Sequence, residues 1–256
     1  MLQAALEADT GMATIDPSAQ IGPGCTLGEQ VVIGADVVLG AGVTLGHFVV
    51  LHPGTILGDG VWVGDHAVLG RPARPASTST VKAEPLPPLQ LGPHVTIGAG
   101  AIVYAGTSIG AGTLIADQAF VRERCTIGRN VIIGRGVAVE NDTSIGDGTK
   151  IQTGAYITAY VTIEDRCFIA PYVVTTNDNF MGRTQERFKH KRGATIRRGA
   201  RVGANSTLLP GIEIGAEAFV AAGSVVTRDV PPGMLVMGAP ARVVRPVPEH
   251  EYVDRQ

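Results

Sequence analysis

The chain has 256 residues, a hydrophobic fraction of 45% and a formal net charge of −2; so even a charge balance argues against a nucleic-acid-binding protein, and no apolar run approaches the ~18 residues of a membrane-spanning helix. Glycine supplies 34 residues and aromatics only 5%, about twice the ~7% glycine of ordinary chains, so the core must be built from small aliphatics. Cys25, Cys125 and Cys167 are too few and too scattered for a disulfide framework or a Cys-x-x-Cys metal site.

The N-terminal lead-in, 1–14, carries Glu7 and Asp9 and no basic residue. It lacks the positive region of a secretory signal, and a cytoplasmic protein is expected. From Ile21 an aliphatic recurs every six residues: Ile21, Leu27, Ile33, Leu39, Leu45, Leu51, Leu57, Val63 and Leu69. The pattern resumes from Leu91 to Ile169 with Thr175 next in register, and again from Ile196 to Val226. A six-residue period returns a helix to a different face, whereas it suits short strands joined by tight corners. Three hexads close a triangular coil, which predicts an all-β parallel β-helix of about ten coils over 15–230, followed by a short C-terminal tail, 231–256. Such a solenoid is a single domain, because each coil contacts only its neighbours. The glycine after most of the aliphatics is expected at a corner needing positive φ. All three cysteines occupy the small-residue slot four positions after an aliphatic and are expected in the core.

Two segments leave the register, about 71–90 and 176–195, and read as loops inserted at corners. If neither skips a coil, one column runs Leu51, Leu69, Val103, Val121, Val139, Ile157, Thr175, and both loops leave the same edge. Along it the usual glycine is replaced by His52, Tyr104, Arg122, Glu140, Thr158 and Thr176. Polar groups beside loops on a rigid scaffold mark the expected site. Asp178, Asn177, Glu140 and Asn141 are the candidate catalytic residues, with Tyr104, Arg122 and Thr158 binding substrate. The second loop is basic, and its Arg183 and Arg187 suit phosphates.

The hexads resemble those of the hexapeptide-repeat acyltransferases over roughly residues 15–244. The resemblance implies a left-handed β-helix, a handedness that the general preference for right-handed crossovers does not supply. The closing stretch VAAGSVVTRDVPPGMLVMGAPARVV is similar to the terminal signature of that family. By that resemblance acetyl-CoA lies along the last coils between subunits of a homotrimer. Ala221, Ala222, Gly223 and Ser224 would accept the pantetheine arm, and Arg228 and Arg242 the phosphates.

The segments VYAGTSIG, FVRERCTIG, VENDTSIGDG and CFIAPYVVTTNDNFMGRTQERFKHKRG resemble, more narrowly, enzymes that N-acetylate a dTDP-linked 3-amino-3,6-dideoxyhexose. Many hexapeptide acyltransferases use a coil histidine as base, yet no histidine lies between His94 and His190. A neutral amine needs no such activation, so this departure favours N-acylation over O-acylation. Other readings are a serine, lipid or amino-dicarboxylate acyltransferase, a non-catalytic trimeric scaffold, and a zinc protein of the γ-carbonic anhydrase kind using His47 and His52. No metal, nucleic acid or membrane partner is expected.

Overall fold

The computed structural model describes residues 13–79 and 84–255; most of the lead-in lies outside them. The fold is an all-β left-handed parallel β-helix, and its only α-helical turn is Arg187–His190 among the described residues. The chain divides into two compact units, 1–124 and 125–256.

In the first unit the two-residue strands Val32–Ile33 and Val50–Leu51 pair in parallel, eighteen residues apart. The ladder continues through Val68–Arg71, Ile102–Tyr104 and Phe120–Val121. Leu69 therefore faces Val103 in spite of the intervening loop, as the uninterrupted column requires. In the second unit Val139 pairs with Ile157 and Tyr156 with Val174, giving the expected column there too. Strand Thr14–Ile15 precedes the first hexad, and the segment after residue 230 adds an antiparallel hairpin, Met234–Gly238 with Ala241–Pro246, so the ladders run slightly longer than ten coils.

Each hexad points two side chains inward, the aliphatic and the small residue two positions before it. Val31 and Ile33, or Val137 and Val139, are at most 1% exposed. Cys125 and Cys167 fill such slots, each 1% exposed, while Cys25 in the first coils is half-buried. Burial pushes the Cys167 thiol up to about 12, which makes it an unreactive filler.

Apart from Gly70, with a φ of 74°, the glycines that follow the aliphatics have a different cause from the one expected. A Cβ on Gly146 would lie 2.6 Å from the Asp165 backbone nitrogen in the next coil, so close approach excludes a side chain. Positive φ falls two residues later, at Gly148 (66°), and non-glycine residues such as Asp142 (58°) and Tyr160 (69°) also adopt it. Corner carboxylates tie successive coils. Asp59, Asp65, Asp147 and Asp165 each accept a backbone N–H eighteen residues back, at 2.7–2.8 Å.

Candidate functional site

In the second unit the column places Glu140, Thr158 and Thr176 at one edge, where the ladder changes character. Thr175 occupies an interior aliphatic position and is 1% exposed. Its hydroxyl accepts the Thr158 N–H at 2.8 Å and donates to the Tyr156 carbonyl at 3.3 Å. A side chain thus takes over a backbone ladder contact, and the strand pairing Ile157 with position 175 is lost. Thr158 is 6% exposed, and its carbonyl accepts the Thr143 hydroxyl at 3.3 Å.

Glu140 is half-buried beside Asn141, which is 5% exposed and donates its side-chain amide to the Asp142 carboxylate. Asn177, two coils on from Asn141, donates its amide to the Ala159 carbonyl at 3.3 Å. Its own carbonyl accepts the Arg192 N–H at 3.2 Å, joining the two ends of the second loop. Glu140, Asn141, Thr158 and Asn177 therefore share one edge.

Asp178 turns into its own loop. One oxygen accepts the Phe180 N–H at 2.8 Å, and the other accepts the Gly182 N–H and an Arg187 guanidinium hydrogen, both at 3.1 Å. These bonds, the Phe180 one foremost, hold its carboxyl below the usual range. A carboxylate so stabilised is a weak proton acceptor. Arg187 is committed to that pair and also lies 4.6 Å from the Phe188 ring centroid, whereas Arg183 is exposed. Lys191, one of the basic residues of the second loop, sits 5.5 Å from the centre of the Tyr160 ring.

At the C-terminal end, Ala222 and Gly223 are exposed, and a Cβ on Gly223 would meet no atom within 4 Å. Ala221 is half-buried and its carbonyl accepts the Ser224 hydroxyl at 2.7 Å. Ser224 is fully buried and also receives the Gly238 N–H at 3.2 Å, so it fastens the hairpin to the last coil. Arg228 and Arg242 are exposed, the latter donating to the Ala241 carbonyl.

Tyr104 and Arg122 belong to the first unit. Arg122 grips the fully buried Glu123 through two bonds, 3.0 and 2.7 Å, and its guanidinium lies 6.0 Å from the Tyr104 ring centre. His47 accepts the Glu29 N–H at its Nδ1 (3.0 Å), the corner role that aspartates play elsewhere. His52 is half-buried, and desolvation, followed by the fields of Arg71 and Arg74, lowers its pKa.

A family model described as bacterial transferase hexapeptide (six repeats) matches residues 12–47, 142–177 and 193–228. A second, the hexapeptide repeat of succinyl-transferase, matches 88–116 and 123–159. The chain is 37% identical over 76 residues to a serine acetyltransferase of Buchnera aphidicola, covering 30% of this chain and 28% of that one. It is 50% identical over 48 residues to a 2,3,4,5-tetrahydropyridine-2,6-dicarboxylate N-acetyltransferase of Clostridium perfringens, covering 19% and 20%. The matches thus span less than a third of either relative. An Arabidopsis UDP-N-acetylglucosamine acyltransferase structure superposes with a TM-score of 0.54 at 22% identity, over 91% of this chain and 72% of that one, which is a likeness of fold. The two repeat models together match more than half of the residues, and the chain belongs to the hexapeptide-repeat acyltransferase superfamily.

Proposed function

We propose that the protein is an acyl-CoA-dependent N-acyltransferase that transfers an acetyl group to the amino group of a nucleotide-linked amino-deoxy sugar, such as a dTDP-3-amino-3,6-dideoxyhexose. The observation that carries this reading is the edge of the second unit, where Glu140, Asn141, Thr158 and Asn177 present carboxylate, amide and hydroxyl groups beside a basic loop that has no histidine before His190. The curated relatives, a serine acetyltransferase and a 2,3,4,5-tetrahydropyridine-2,6-dicarboxylate N-acetyltransferase, support acyl transfer as the reaction class.

In this reading the unprotonated amine attacks the thioester carbonyl carbon, with Glu140 orienting it and Asn141 and Asn177 bonding sugar hydroxyls. A backbone N–H stabilises the oxyanion. The C–S bond then breaks, the amide forms, and the thiolate leaves and takes the amine proton. Asp178 is a positioning residue that holds the loop through Phe180, Gly182 and Arg187. The open surface at Ala222 and Gly223 accepts the pantetheine arm, and exposed Arg228 and Arg242 meet phosphates. The reading includes a cytoplasmic homotrimer; the outward-facing Tyr156 and Val174, 39% and 38% exposed, supply apolar area for subunit contact.

Thiol release from acetyl-CoA, measured against dTDP-amino sugars, serine and amino-dicarboxylates, tests the proposal. Turnover only with the amino sugars supports it, and turnover only with serine or a dicarboxylate overturns it. On the true substrate kcat/KM should rise with pH along the substrate amine's own titration. A basic limb abolished by Glu140→Gln would instead make Glu140 the general base.

A further inference from the structure

The first unit carries a cationic cluster around Tyr104 and Arg122. Among the described residues all other strands from Thr14–Ile15 to Val225–Val226 have two residues, but Val68–Arg71 has four and its partner Ile102–Tyr104 has three. Between Leu69 and Arg71 the register shifts, so that Arg71 rather than Gly70 pairs with Tyr104. The Arg71 carbonyl accepts the Ala105 N–H at 3.0 Å and closes the bulge. Gly70 makes it possible: its φ is 74°, and a Cβ there would strike the Thr55 hydroxyl and approach the His52 Cβ at 3.5 Å. A bulge of this kind re-aims a side chain. Here it sets the Arg71 guanidinium 5.5 Å from the centre of the Tyr104 ring that Arg122 also approaches, at 6.0 Å.

The sequence from Arg71 reads Arg-Pro-Ala-Arg-Pro. Arg71 and Arg74 each precede a proline, which keeps both backbones extended and reduces the entropy lost when a ligand orders them. Arg122 is anchored by buried Glu123, but neither Arg71 nor Arg74 takes part in an ion pair among the described residues. Their unbalanced positive field is felt at His52, where it adds to burial in disfavouring the imidazolium. Like charges gathered on a built bulge and a proline-stiffened limb raise the free energy of the empty site, and an anion relieves it. Guanidinium forks match phosphate oxygens in pairs.

We propose that Arg71, set beside Tyr104 and Arg122 by the bulge at Gly70, and Arg74, three residues along the same limb, form a binding site for the diphosphate group of a small-molecule ligand. The site does not depend on the acyltransferase reading, and binding is measured without turnover.

Titration calorimetry with inorganic pyrophosphate and with thymidine diphosphate tests it on the whole protein. Wild type should bind both, and Arg71→Gln/Arg74→Gln should weaken both at least tenfold while circular dichroism stays unchanged. Arg135→Gln/Arg255→Gln, which removes the same charge at exposed positions elsewhere, should leave affinity within twofold. Saturating pyrophosphate should also raise the His52 titration midpoint, read by NMR, because the bound charge offsets the arginine field. Four results would each overturn the proposal: no wild-type binding at millimolar pyrophosphate, unaltered binding in the double variant, an equal loss in the control pair, or a His52 titration unmoved by bound ligand.

Discussion

Arg187 and Asp178 meet at 3.1 Å on a carboxylate whose two oxygens also accept the Phe180 and Gly182 N–H groups. The pair defines the second loop more than it defines a reacting centre. Asp178→Asn keeps the size of the side chain and removes its charge, so the loop should loosen while the coils stay folded. Turnover should fall by up to ~10²-fold, the cost of a small misplacement near reacting atoms, while Tm by calorimetry falls only slightly. Because the carboxyl pKa is lowered in the fold, its contribution is present above the ordinary carboxylate value and is lost as pH falls through the depressed one. The Phe180 amide resonance should therefore hold its native shift until the solution is more acidic than the usual aspartate range.

Ile157 and Thr175 occupy successive rungs of one interior column and should respond differently. Ile157→Ala should cost ~2–5 kcal/mol in denaturant unfolding, since it empties a fully buried position. Thr175→Val preserves shape but strands the buried Thr158 N–H, and should cost ~1–3 kcal/mol.

Gly146→Ala should destabilise by ~1–3 kcal/mol, the usual cost of overpacking, because the new methyl has to push back the Asp165 backbone. An alanine at Gly136, which has a φ of 63° but open space around it, meets no such contact and should cost less. Chemical denaturation of the two variants gives the comparison.

His52 should titrate below the ordinary histidine value of ~6.5, and Arg71→Gln/Arg74→Gln should raise it without restoring it fully, since burial is the larger cause. The sign for stability follows from a depressed folded pKa. The contribution of His52 is complete above the ordinary value and is lost as pH falls towards the folded one. NMR titration of the His52 ring protons checks both points.

Alkylation should separate the cysteines. Half-buried Cys25 should react first under native conditions, while Cys167, with its thiol at about 12 and 1% exposed, should label only on unfolding. Mass spectrometry of peptides from a timed iodoacetamide reaction gives the order.

The coil repeat was legible because the hexad is long and regular, and its column across the first loop survives as the Leu69–Val103 pairing. The cause of the corner glycines was not legible. Composition cannot distinguish a residue needed for φ from one needed for space, and only the approach of Asp165 to Gly146 does so. At the edge, Glu140 was readable as a departure from a repeated glycine, and Asn141 and Asn177 as polar neighbours of that position. The inward turn of Asp178 was not, because it depends on N–H groups two and four residues ahead in an irregular loop. Ser224 was misleading for a related reason: its position in a small-residue run does not reveal that its hydroxyl faces the interior.

The eighteen-residue coil also sets a rule for tolerated changes in length. Deleting one whole coil between Val139 and Thr175 would shorten the second unit yet leave Glu140 and Asn177 on one edge. Deleting a single hexad would keep every buried aliphatic in place and still rotate the second loop by a third of a circumference, carrying Asn177 to another edge. Insertions and deletions in this protein should therefore preserve the coil packing in steps of six residues and keep the edge groups in line only in steps of eighteen.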